Sequence, residues 1–192
     1  MPVLEIACLS LSGVQIALQA GADRIELCEN PHDGGTTPSY GMLKTVRALS
    51  AVPVFPILRP RGGDFCYSKE EVQIVSEDIQ LCKTLGFEGV VLGCLHTNGQ
   101  VHEEVTARWV EEASPMQVTF HRAFDRSRDP FEALEVLIRC GCKRVLSSGH
   151  RPDVMQGLPV LQQLHQQAAG RIGILPGGGL NSSNLSYLRT HL

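Results

Sequence analysis

Pro53-Val54-Phe55-Pro56-Ile57-Leu58-Arg59-Pro60-Arg61-Gly62-Gly63-Asp64-Phe65 runs from an apolar segment straight into a charged, glycine-containing turn. The first half reads as a buried strand bounded by turn residues. The second half places two guanidiniums, two glycines and a carboxylate where that strand would end. A guanidinium is a planar fork of donors suited to carboxylate or phosphate, and glycines let backbone approach a ligand closely. A turn closed by an internal Arg–Asp pair would use the same residues. What favours a functional reading is recurrence, since four other predicted strand ends also carry ionisable or glycine-rich groups.

Outward from this stretch, short apolar runs alternate with longer amphipathic ones. Strands are predicted over residues 3–7, 24–28, 54–59, 89–93, 117–121, 144–148 and 171–175. Helices are predicted over 11–20, 40–49, 69–85, 103–113, 130–140, 153–168 and 181–191. Gly21, Gly86, Gly141 and Gly170 sit where helices should stop. Ser39, Ser68 and Asp129-Pro130 have the chemistry of helix starts. Repeated strand–helix units with mostly unbroken apolar strands imply a parallel sheet covered by helices. The first strand–helix turn lacks Gly-x-Gly-x-x-Gly, and polar groups end many strands instead of clustering at one switch point. A TIM-like (β/α) barrel is therefore expected, as one domain over residues 1–192, C-terminally short with seven units and the eighth missing.

Composition narrows the partners. Of 192 residues, 43% are apolar and 19% charged, as in ordinary globular proteins. A net charge of −3 gives no electrostatic reason to expect nucleic acid or an anionic membrane. No apolar run approaches the roughly eighteen residues of a membrane span, and the N-terminus lacks the pattern of a signal peptide. Seven cysteines at irregular spacing suit a reduced, cytoplasmic protein better than a disulfide framework.

Alternation puts Glu5 and Ala7 on one face of the first strand, and Arg24, Glu26 and Cys28 on one face of the second. Two carboxylates on neighbouring strands would be driven to different pKa values by desolvation and proximity, unless each is matched by an arginine. Thr119 and His121 share a face of the fifth strand, and His121 is followed by Arg122 and Asp125. Histidine at such a strand end serves as a general acid or base, or as a metal ligand. Catalytic roles are accordingly assigned to Glu5, Glu26, His121 and Asp125. Ser148 and the turn Gly177-Gly178-Gly179 end the last two strands, positions where barrels hold phosphate. With Arg59, Arg61 and Arg122 they make the predicted anion-binding set. Glu5, Glu26, Arg59 and His121 are expected to converge on one pocket. No lysine falls at the C-terminal end of a strand, which argues against Schiff-base chemistry.

At these motifs the chain resembles the copper homeostasis protein CutC family. The matching segments are residues 21–28, 34–39, 57–65 and 118–125, continued by Pro176-Gly177-Gly178-Gly179. The resemblance implies a TIM-like barrel, a cytoplasmic setting, a homo-oligomer (most simply a dimer) and a role in copper handling. It also implies a copper(I) site of two cysteines, one on each of the first two strands. Here the first of those positions is Ala7, leaving Cys28 with the adjacent Cys8 as the metal-ligand candidates. Two readings stand side by side: a copper-binding homeostasis protein, and a barrel enzyme acting on a small anionic or phosphorylated substrate. A partner-binding scaffold that has lost activity is a third.

Overall fold

Seven strands and seven α-helices alternate through the described part of the chain, residues 3–192 of the computed structural model. Their contacts group into two units, one running to Leu92 and taking in Glu111–Val118, the other made of Gly93–Val110 and Thr119–Leu192. The elements up to Leu92 are β1 (Glu5–Cys8), α1 (Leu11–Gln19), β2 (Arg24–Leu27), α2 (Tyr40–Leu49), β3 (Val54–Pro56), α3 (Lys69–Leu85) and β4 (Gly89–Leu92). The remainder are α4 (Glu103–Ala113), β5 (Gln117–Phe120), α5 (Pro130–Cys140), β6 (Arg144–Ser147), α6 (Val154–Ala168), β7 (Gly173–Pro176) and α7 (Leu185–His191).

In the first unit β1, β2 and β3 pair in parallel, with Glu5 opposite Arg24 and Ala7 opposite Glu26, which in turn faces Phe55. The ladder passes to β4 through a parallel bridge between Ile57 and Val91. Ile25 and Leu27 are fully buried, as are Val14 of α1, Val46 of α2 and Ile79 of α3. In the second unit β6 pairs in parallel with both β5 and β7. Val154, Leu158 and Leu161 of α6 cluster there with Leu188 of α7.

The predicted helix signals hold at particular residues. Ser39 and Asp129 accept backbone N–H groups of the first turns of α2 and α5, and Ser68 with Glu71 forms a full capping box on α3. Gly86 and Gly141 close α3 and α5 at positive φ, where an L side chain is disfavoured. Boundaries shift where side chains intercept the backbone. The third strand ends at Pro56 instead of Arg59, because the Arg59 N–H turns to the Thr37 hydroxyl. The last helix begins at Leu185 instead of 181, because Asn181 and Asn184 first close side-chain turns on Ser183 and Asn181. The first strand extends through Cys8, one residue further than predicted.

Candidate functional site

Glu5 and Glu26 leave neighbouring strands two register steps apart, and their surroundings differ. Glu5 takes Nε of Arg24, directly opposite it, at 2.5 Å, so it is matched by an arginine as an ion pair. The Arg24 guanidinium also lies 5.0 Å from the Phe55 ring centre. Glu26 is only 8% exposed, and no residue among those described makes a hydrogen bond or ion pair to its carboxyl. Burial first, and the Glu5 charge second, push Glu26 up to about 8. It therefore keeps its proton at neutral pH and can donate it.

Cys28 follows β2 on the face of Glu26 and packs with Phe55, Ile57 and Val91. A Cβ on Gly35 would lie 3.4 Å from its sulfur, so this glycine makes room for the thiol. Burial, reinforced by the charges of Glu26, Cys8 and Glu5, pushes the Cys28 thiol far up. Cys8 stands opposite Leu27 as the last residue of β1, and alternation turns it to the other face. There its sulfur donates to the Ile6 carbonyl at 3.7 Å, and burial raises its pKa. The two thiols predicted to share copper(I) thus sit on opposite faces of the sheet. Among the described residues no group of three or more His, Cys, Asp or Glu is placed to hold a metal ion. Copper(I) prefers thiolates, and this arrangement supplies neither a thiolate pair nor a cation to favour one, so the donor set does not fit.

The arginines of the deciding stretch are committed to the chain itself. Arg59, 5% exposed, donates to the carbonyls of Asp33, Gly35 and Gly63 at 2.5–3.0 Å, with Phe65 stacked 4.8 Å away. It clips two loops together. Arg61 bonds Glu71 at 2.5 Å and Asp64 at 2.9 Å, tying its turn to the start of α3. The Arg61–Asp64 contact is the internal pair that the sequence already offered, whereas the loop carbonyls around Arg59, and Glu71 of α3, are brought near only by the fold.

In the second unit, His121 is 3% exposed and its Nδ1 accepts the Ala123 N–H at 3.2 Å. In the neutral ring the proton then sits on Nε2. A Cβ on Gly93 would fall 2.6 Å from the ring, so that glycine is the seat His121 needs. Sequence reasoning missed it. Asp125 is held by Arg122 Nε at 2.7 Å, Ser147 Oγ at 2.6 Å, Ser148 N–H at 3.0 Å and His150 N–H at 3.2 Å. Burial pushes this carboxyl up, but the Ser147 hydroxyl, the Arg122 guanidinium and the two backbone N–H groups outweigh it and hold it low. Asp125 is thus a fixed anion that orders the turn after β6. Ser148 also accepts Arg122 Nη2 at 2.7 Å, and Gly178 lies against the same guanidinium. The predicted residues of each unit therefore fall into local groups: Glu5, Glu26 and Cys28 on the first two strands, and Arg122, Asp125, Ser148 and Gly178 around one carboxylate.

Parallel βα units in strict alternation, with charged groups on the strands and the turns that follow them, define an α/β protein of the TIM-barrel class. The chain belongs to the CutC family, whose family model matches residues 2–191. A CutC family protein of Parabacteroides distasonis is 47% identical over 187 residues, covering 97% of this chain and 77% of the relative. The human copper homeostasis protein cutC homolog is 44% identical over 186 residues, covering 97% of this chain and 68% of the relative. The solved CutC structure from Streptococcus agalactiae aligns over all of this chain and 94% of its own, with TM-score 0.92 and 30% identity. A deoxyribose phosphate aldolase from Aeropyrum pernix (TM-score 0.68, 13% identity, 98% of this chain and 80% of that one) shares the fold alone.

Proposed function

We propose that this member of the CutC copper homeostasis family acts on a small organic molecule by proton transfer, with Glu26 as the proton donor. The observation that carries the reading is a nine-tenths buried carboxyl with no partner among the described residues, raised to about 8 beside the Glu5–Arg24 pair. An unpaired buried acid costs stability, and proteins keep such groups where a shifted pKa serves chemistry. A carboxylic acid that is neutral at pH 7 can protonate a leaving group or polarise a carbonyl. The four lysines, Lys44, Lys69 and Lys83 in helices and Lys143 ahead of β6, offer no Schiff-base alternative at a strand end.

The test is solvent exchange. Small aldehydes, ketones and 2-oxo acids are incubated with the protein in D2O, and loss of their α-proton signals is followed by NMR. Catalysed exchange that falls by about 10²–10⁴-fold in Glu26→Gln supports the role. An equal rate in both proteins, or none above buffer across the panel, counts against it.

The copper reading is second, and Cys28 is the observation that favours it: a thiol on the Glu26 face, in a family named for copper homeostasis. With Cys8 on the opposite face, binding through Cys28 alone should be weak. We also place the protein in the cytoplasm, which its seven free cysteines support. We expect it to self-associate, supported by the exposed apolar side chains Val3 and Leu4 beside β1 and Ile16 on α1.

A further inference from the structure

Ser148, a member of the predicted anion-binding set, sits in a turn, Ser147-Ser148-Gly149-His150, that is already filled by an anion of the chain's own. Asp125 draws in the Ser147 hydroxyl and the N–H groups of Ser148 and His150, so this loop has no such donors left for a ligand. The same carboxylate fixes Arg122 through Nε, while Ser148 Oγ takes Nη2 at 2.7 Å. The Nε–Nη2 edge of the guanidinium is thereby used. Nη1 makes no hydrogen bond among the described residues, and the side chain remains 42% exposed.

Nη1 lies beside the glycine turn after β7. A Cβ built on Gly178 would stand 3.0 Å from it, and Gly178 and Gly179 adopt φ of +103° and +79°. The turn is pinned on both sides: Gly177 N–H bonds the Ser147 carbonyl, and the Gly178 carbonyl takes Val154 N–H, each at 2.9 Å. The N–H groups of Gly178 and Gly179 have no acceptor among the described residues. Successive free N–H groups in a glycine turn at positive φ form a concavity that suits an anion. A guanidinium edge held beside it supplies charge and direction. The neighbouring Asp153 carboxylate spends itself on the N–H groups of Met155 and Gln156 and on the Gln156 side chain, capping α6.

We propose that Arg122 Nη1 and the N–H groups of Gly178 and Gly179 bind a phosphoryl group, free or esterified. Asp125 and Ser148 act as positioning residues that hold the arginine for it. The inference does not depend on the Glu26 reading, and a Glu26→Gln protein should bind phosphate as the unmodified one does.

Amide NMR of the intact chain, titrated with inorganic phosphate and separately with glycerol 3-phosphate, tests this. Saturable shifts centred on the Gly178 and Gly179 amides are expected. A tenfold or greater preference for the ester would identify an organic phosphate as the ligand, and equal affinity free phosphate; either supports the site. Arg122→Gln and Gly178→Ala should each weaken binding at least tenfold. Arg128→Gln, which removes only an exposed pair with Glu132, should leave it unchanged. Absence of saturable binding to the unmodified protein overturns the proposal without recourse to any variant. So does binding that shifts amides elsewhere, or binding that survives in a folded Arg122→Gln protein.

Discussion

Glu5 and Glu26 carry the same side chain on adjacent strands, and one pairing separates their fates. Arg24 stands opposite Glu5 and neutralises it, while Ala7 and Phe55 flank Glu26 and offer nothing to its charge. The consequence is a measurable pH dependence. Glu26 titrates near 8 in the folded chain and near the ordinary 4.5 when unfolded. Between those values the folded state holds a proton that the unfolded state has released, so stability falls as pH rises from about 4.5 through 8. Thermal melts across that range should show the decline in the natural chain, and Glu26→Gln should remove most of this contribution. A slope unchanged by the substitution would mean that Glu26 titrates normally. Ala7 supports a second residue-level prediction. It is exposed and directly opposite Glu26, so a thiol there would share a face with Cys28 as Cys8 does not. Ala7→Cys should tighten copper(I) at least tenfold in chelator competition while Ala7→Ser does not, since copper(I) favours paired soft donors. Equal affinities for the natural chain and Ala7→Cys would dismiss the paired-thiol idea.

At the scale of elements, what was legible in sequence is what local chemistry decides. Ser68 and Glu71 three residues apart announce a helix start because each satisfies a backbone N–H that the first turn leaves open. Gly86 and Gly141 announce stops because the closing residue needs positive φ. Strand alternation likewise put Glu26 and Cys28 on one face correctly. The rest depended on tertiary pairing. Whether Cys8 belongs to β1 is set by its partner Leu27 across the ladder, and nothing in the residues around it states that register. Arg59 and Arg61 look like ligand-binding groups because a guanidinium suits an anion, yet their acceptors are loop carbonyls, Glu71 and, as the alternative reading of the stretch had it, Asp64. Asp125 looked like a catalytic acid and is the anion that organises its own turn. Type and position were readable; partners were readable only within a turn, as for Arg61 and Asp64, and not across loops.

At the scale of the molecule, β1 is the outer strand of the sheet ordered β1-β2-β3, and among the described residues of that sheet β2 is the strand that pairs with it. Val3 and Leu4 beside it are exposed, and so is Ile16 on α1, at 65%. A strand edge flanked by apolar side chains is a surface that proteins ordinarily cover, since open N–H and C=O groups there template pairing with another chain. A second copy of the same chain is the simplest cover, because a two-fold contact buries the same patch on both partners at once. Sedimentation velocity at micromolar concentration should therefore show a dimer that dissociates on dilution. Ile16→Glu places a charge on the exposed side of α1 without disturbing the core, because the side chain is already largely in water. It should shift the population to monomer while leaving the melting temperature of the dilute protein within a few degrees. A natural chain that stays monomeric at every concentration, or an Ile16→Glu dimer as tight as the natural one, would remove this face from consideration as the self-association surface.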